Sequence, residues 1–200
     1  KQMTVVYFVR HAQSDNSVSD GMIRPLTEKG MHDRTLVTAF LNDKQIDAAF
    51  SSPFKRAVDT IADFTEKSGL PIEIVDDFKE HQTISDTYAD CAYFPFIERY
   101  WADMEYKVAG DESLADVQRR NIGALQAILA KYKDKNIIIG THGIALSTIL
   151  NYYDHSYGYE NFLAMVKIKP WIVKMELNGD ACMHIEYIDP SLIKAESFAF

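Results

Sequence analysis

Thr4-Val5-Val6-Tyr7-Phe8-Val9-Arg10-His11-Ala12-Gln13-Ser14 opens as an apolar, β-branched and aromatic run and stops abruptly at an arginine and a histidine. A run of that kind, with no polar alternation, predicts a strand buried on both faces, as in parallel sheets covered by helices. In open α/β sheets the reactive groups sit just beyond the carboxyl ends of the strands. Arg10 and His11 fall at that place. Arginine offers a permanent charge on a planar donor fork suited to phosphate or carboxylate. Histidine offers a base or nucleophile that titrates near neutral pH.

Working outward, residues 15–24 are polar and turn-rich, with Gly21 and Pro25 as punctuation. Thr27 reads as a helix N-cap with Glu28 in the first turn, and Leu36, Val37, Phe40 and Leu41 mark the helix's apolar face to about Asn42. Asp47-Ala48-Ala49-Phe50 is a short second strand, followed by Ser52 as a cap and Pro53 at a first helical position. That helix runs to about Lys67 and is stopped by Gly69-Leu70-Pro71, after which residues 72–75 form a third strand. Residues 76–110 crowd Tyr88, Tyr93, Phe94, Phe96, Tyr100, Trp101 and Tyr106 among acidic residues, and read as an irregular and helical cap insertion whose aromatics form satellite core. A long amphipathic helix starts at Ser113. Asn136-Ile137-Ile138-Ile139-Gly140 is another doubly buried strand, leading through Thr141-His142-Gly143 into a helix over residues 144–153. Residues 157–162 read as a turn or loop. Residues 171–177 and 182–188 are strands joined at Asn178-Gly179, a hairpin signal. The fold class is therefore α/β, one domain over residues 1–200 with a mostly parallel central sheet and helices on both faces.

The totals agree. With 200 residues, 47% hydrophobic and 25% charged, the chain has the profile of an ordinary globular domain. No window is apolar long enough to span a bilayer, and Lys1-Gln2-Met3 is too short for a signal peptide before the first strand, so a cytoplasmic protein is expected. Cys91 and Cys182 lack metal or redox spacing and read as buried free thiols. A formal net charge of −8 argues against general nucleic-acid affinity but not against a local positive pocket.

If the strands ending at Arg10, Phe50 and Gly140 are parallel, their carboxyl ends share one rim. Arg10, His11, Arg56 and His142 then converge with helix N-termini, forming an anion site by charge and by donors. Five segments in this order are similar to a known family. Arg10-His11-Ala12-Gln13-Ser14 resembles the Arg-His-Gly-Glu-Ser/Thr signature of the histidine phosphatases, the phosphoglycerate-mutase-like superfamily. Ser52-Pro53-Phe54-Lys55-Arg56-Ala57 with Thr60 resembles its second motif, and Leu26-Thr27 with Gly30 its Leu-Thr-x-x-Gly segment. Residues 110–119 resemble its Gly-Glu-Ser segment with a later arginine, and Thr141-His142-Gly143 its last motif. Ala12 stands where the signature has glycine, and Gln13 where it has an acid.

The resemblance implies His11 as a nucleophile that becomes phosphohistidine. It implies Arg10, Arg56 and His142 as holders of the phosphoryl oxygens, and Gln13 and Ser14 as substrate-binding, the position of Gln13 lying near the substrate's leaving side in some members. Its proton donor is an acid after the third strand. Glu80 matches best, with Asp76 and Asp77 as competitors. His32, His81, His155 and His184 have no motif support and read as exposed or structural. Phosphoryl transfer mainly needs positioning and neutralisation of charge on the moving group, which fixed arginines supply without a metal or other cofactor. Hydrolysis of a small phosphomonoester is the leading expectation. A mutase should need further basic residues in the cap, and residues 81–110 offer Arg99 and Lys107. A noncatalytic phospho-ligand binding module is the third reading. Oligomeric state is left open.

Overall fold

The computed structural model describes residues 3–82 and 93–193. The opening run forms β1 (Thr4–Arg10), and Asn136–Thr141 forms β4 beside it. β2 (Ala48–Ser51) lies parallel on the far side of β4, and β3 (Ile72–Ile74) lies parallel beyond β2. On its other side β1 pairs antiparallel with β5 (Trp171–Asn178), which pairs with β6 (Ala181–Ile188). The sheet order is β3-β2-β4-β1-β5-β6, so the four parallel strands are extended by an antiparallel hairpin. The hairpin turns at Gly179, whose φ of 62° a side chain would resist. β5 is interior and β6 is the edge.

Side-chain alternation along the strands builds two cores. Val6 and Phe8 of β1, with Ile137 and Ile139 of β4, pack on α4 (Leu114–Lys131), α5 (Gly143–Tyr153) and α6 (Tyr159–Met165). Tyr7, Val9 and Ile138 point the other way, onto α1 (Glu28–Leu41) and α2 (Lys55–Ser68). Helices cover both faces, which is why β1 and β4 can be apolar throughout. Phe96, Trp101 and Tyr106 pack against the first core and Tyr100 lies within it, the packing role expected of the insertion's aromatics, to which α3 (Tyr93–Ala102) belongs. Tyr88, Cys91 and the side chains of Tyr93 and Phe94 lie outside the described residues.

Local signals mostly land within a residue or two. Thr27 caps α1, its Oγ1 accepting from the Gly30 amide at 3.0 Å. Gly69 ends α2 in the left-handed region at φ 69°. Ser113 and Asp116 form a reciprocal capping box on α4. Four readings need correction. The buried stripe of α1 is Gly30, Asp33, Val37 and Leu41, with Leu36 and Phe40 only half-buried. α2 begins at Lys55 with Phe54 in the cap position, so Pro53 precedes the helix. Residues 157–162 read as a turn or loop, but α6 covers Tyr159–Met165, because Phe162 and Met165 are buried on one face. Cys182 is free but only half-buried, on the edge strand. Among the described residues no helix is long and apolar enough to cross a membrane.

Candidate active site

The carboxyl ends of β1, β4 and β2 share one rim. Their register places Arg10 beside Thr141, and Ser51 beside Gly140. Backbone bonds extend this alignment past the strand ends: the His11 amide donates to the Thr141 carbonyl at 3.1 Å, and the Ser52 amide to the Gly140 carbonyl at 2.9 Å. His11 and His142 therefore emerge side by side, their ring centroids 5.4 Å apart. The His142 ring meets Phe54 edge-on at 5.1 Å, and Phe54 carries the Arg56 guanidinium on its face at 4.8 Å. The sequence-predicted residues Arg10, His11, Arg56 and His142 are thus brought together in one cup, and all four are buried.

Each member is aimed by its neighbours. His11 Nδ1 lies 2.7 Å from the Ala12 carbonyl. A carbonyl only accepts, so Nδ1 carries the proton and Nε2 presents its lone pair. The Ala12 amide donates to Thr60 Oγ1 at 3.0 Å, tying the turn after His11 to α2. Arg10 Nη1 donates to the carbonyls of Met165, Val166 and Ile168 at 2.8–3.0 Å, and Nε and Nη2 pass alongside Gly143. Arg56 Nη1 donates to the Gly21 carbonyl at 2.6 Å. His142 Nε2 meets Ser52 Oγ at 2.7 Å, while its buried Nδ1 has no partner among the described residues. Ser52 was expected to cap a helix. Its hydroxyl instead accepts from the Phe54 amide at 3.3 Å and fixes the His142 ring.

Burial, then Arg56 and Arg10, hold the His11 pKa well below the usual imidazole value, and His142 is depressed by burial, Arg56 and His11. Both rings are neutral at physiological pH. Burial lowers Arg56 to about 10, which leaves it charged. The cup is positive through its arginines, and its imidazoles are available as lone-pair donors or hydrogen-bond partners.

Of the acids after β3, Glu80 is the one that reaches the cup. Its carboxylate accepts from the Ile144 amide at 3.1 Å and the Ala145 amide at 2.9 Å, at the N-terminus of α5 directly after His142. Asp76 is exposed and paired with Lys79, and Asp77 is exposed and lines a groove with Phe50 and Tyr132. Arg120 holds the Glu80 segment. Its guanidinium donates to the carbonyls of Asp77, Lys79 and Glu80 at 2.6–3.1 Å and pairs with Glu112. Arg119, which closes the 110–119 segment, is exposed and paired with Glu105 and Asp116. Helical phase carries the signal that separates them, since position 119 falls midway between buried Val117 and Asn121 on the opposite face. His81 is structural, with Nε2 on the Glu112 carbonyl at 2.7 Å and its ring against Tyr100. His32, His155 and His184 are exposed.

Gln13 and Ser14 lie outside the cup proper. They line a cleft of about 520 Å³ beside it, and Gln13 Oε1 accepts from Thr27 Oγ1 at 3.0 Å. Lys169, which no motif flagged, lines the same cleft. Among the described residues no group of three or more His, Cys, Asp or Glu is arranged to hold a metal ion.

The family model of the histidine phosphatase superfamily (branch 1) matches residues 6–167, a span that contains every residue of the cup. The chain belongs to the histidine phosphatase superfamily. It is 29% identical over 152 residues to a Bacillus subtilis (strain 168) protein named uncharacterized phosphatase PhoE, covering 74% of this chain and 76% of that one. It is 26% identical over 168 residues to 2,3-bisphosphoglycerate-dependent phosphoglycerate mutase 2 of Gloeobacter violaceus, covering 76% and 77%. Among solved structures, Bacillus stearothermophilus YhfR superposes with a TM-score of 0.75 at 22% identity, covering 92% of this chain and 96% of that one. This histidine phosphatase thus has the α/β sheet with covering helices that the order of its elements implied.

Proposed function

We propose that this histidine phosphatase hydrolyses small phosphomonoesters through a phosphohistidine on His11, without a metal. One observation carries the reading: a neutral imidazole with Nε2 unprotonated stands between two buried arginines and a second imidazole. The His11 Nε2 lone pair attacks phosphorus, forming N–P as the ester P–O bond breaks. The departing oxygen takes the proton of the Glu80 carboxylic acid. Water then attacks the phosphohistidine, giving a proton to the Glu80 carboxylate, and the N–P electron pair returns to the ring. Splitting one displacement into two is what covalent catalysis contributes, and a positioned acid adds about 10²–10⁴-fold. Arg10, Arg56 and the unpartnered His142 Nδ1 offer the fixed charges and donor that the equatorial oxygens require.

Mutase-type transfer is the second reading, favoured by the mutase relative. Against it, the cap's cations are engaged elsewhere: Lys107 pairs with Asp116 at 2.8 Å, and Arg99 lies over Tyr106. A noncatalytic binding module would not need both His11 and Glu80 in place.

The test is phosphate release from p-nitrophenyl phosphate with and without a chelator, with acid quench to trap the adduct. Chelator-insensitive release and an acid-labile, alkali-stable phosphoprotein are expected, and His11→Ala reduces both to background. Persistent turnover in His11→Ala would remove the nucleophile from the scheme. Interconversion of 2- and 3-phosphoglycerate after bisphosphoglycerate priming, without net phosphate release, would establish the mutase reading instead.

A further inference from the structure

Lys169 stands apart from the chain's other cations. Its residue follows Ile168, whose carbonyl receives Arg10 Nη1 at 2.8 Å, and it lines the cleft that begins at Gln13 and Ser14, immediately after the nucleophile's turn. Its ammonium has no hydrogen-bond or ion-pair partner among the described residues. Of the cleft's other charges, Lys29 pairs with Asp33 and Asp189 accepts from the Ser191 amide at 2.9 Å and from its hydroxyl, while Lys167 has no such partner among the described residues. Lys167 is solvent-exposed.

Resting on the phosphomonoesterase reading, we propose that Lys169 is a specificity-determining residue that receives a carboxylate on the alcohol portion of the substrate. The substrate then spans two compartments, with its phosphoryl group in the cup and its carboxylate at the Gln13–Lys169 side of the adjoining cleft. A single half-buried ammonium suits a monoanion, and the cleft's other unpaired cation, Lys167, lies out in solvent. Electrostatics supports the assignment. Burial, Arg10 and Arg56 lower the Lys169 pKa to about 8, Arg24 acts in the same sense, and Glu80 is the opposing charge. An ammonium crowded by cations in a half-buried site is relieved by an incoming anion.

The experiment compares 3-phosphoglycerate with glycerol 3-phosphate, which has a hydroxymethyl where the former has a carboxylate. Binding is measured by calorimetry on the inactive His11→Ala protein, so the readout does not depend on turnover. The carboxylate ester is expected to bind about 10- to 100-fold more tightly, the range of one charge-assisted hydrogen bond. Adding Lys169→Met should erase that preference while changing glycerol 3-phosphate affinity less than about threefold, and Lys169→Arg should keep it. Equal weakening of both esters by Lys169→Met would place the lysine in the phosphoryl cup and overturn the proposal. So would the absence of any preference in the parent protein. Phosphate release from p-nitrophenyl phosphate by the wild-type chain separates the two claims: its absence, with the preference intact, would sink the hydrolase reading and leave the carboxylate subsite standing.

Discussion

His11 and His142 are buried and form no ion pair among the described residues, and that has a consequence for folding. Both have folded pKa values well below the ordinary 6.5. Above about pH 6.5 each is neutral in the folded and unfolded states alike. Below it the unfolded chain takes up two protons that the folded protein refuses, so stability falls as pH drops, by up to about 1.4 kcal/mol per pH unit for each ring. Urea melts between pH 6.5 and 5.5 should show this decline, and His142→Asn should roughly halve its slope. For Glu80, exchange to glutamine preserves an oxygen acceptor for one of the two α5 amides but removes the transferable proton. Turnover of a poor leaving group should fall about 10²–10³-fold while vanadate affinity stays within a few-fold. Normal rates would end the acid assignment. At this scale the motif residues were legible because phosphoryl chemistry demands arginine and histidine at strand ends. Sequence alone left Glu80 with Asp76 and Asp77 as competitors; what sets its position apart is that its carboxylate accepts from the α5 amides. Ser52 and Lys169 were missed, since a serine before a proline reads as a cap and a lone lysine carries no signal.

Two elements hold the site segments in place. α4 presents Arg120 to three carbonyls of the β3-to-cap connection, those of Asp77, Lys79 and Glu80. Replacing it by methionine leaves those carbonyls unmatched and Glu112 without its partner, for an expected loss of about 2–3 kcal/mol. Because Arg120 acts through Glu80, kcat should drop about tenfold with KM little changed, and Arg120→Lys should recover part of it. A KM effect alone would contradict a positioning role. α1 approaches the turn after His11 so closely that a methyl group at Gly30 would lie 2.1 Å from the Gln13 carbonyl oxygen. Gly30→Ala should therefore cost about 3 kcal/mol in a denaturant melt and displace the Gln13 loop, lowering activity as well. The sequence showed that α1, α2 and α4 exist and where they begin or end, because caps and stops are local. It misjudged α6, a helix too short for its period to stand out, whose place is set by burying Phe162 and Met165.

For the molecule as a whole, the cup concentrates positive charge in a chain of net charge −8, so an oxyanion that binds the folded state alone should stabilise it. Vanadate at about 100 times its Kd should add about 2.7 kcal/mol, or roughly 5–10 °C in melting temperature for a chain of this size. Arg56→Ala should abolish most of that shift; an unchanged shift would put the anion elsewhere. What the chain determined by itself was the alternation of strands and helices, the doubly buried character of β1 and β4, and the residue types that must meet beyond their ends. These follow from apolar runs and local capping, which act over a few residues. Only the tertiary structure decided that β5 lies inside the sheet with β6 at the edge, which acid reaches the cup, that Arg120 rather than Arg119 secures it, and that Lys169 arrives from beyond α6. Each of those depends on contacts between residues far apart in the chain, where periodicity and turn chemistry carry no information.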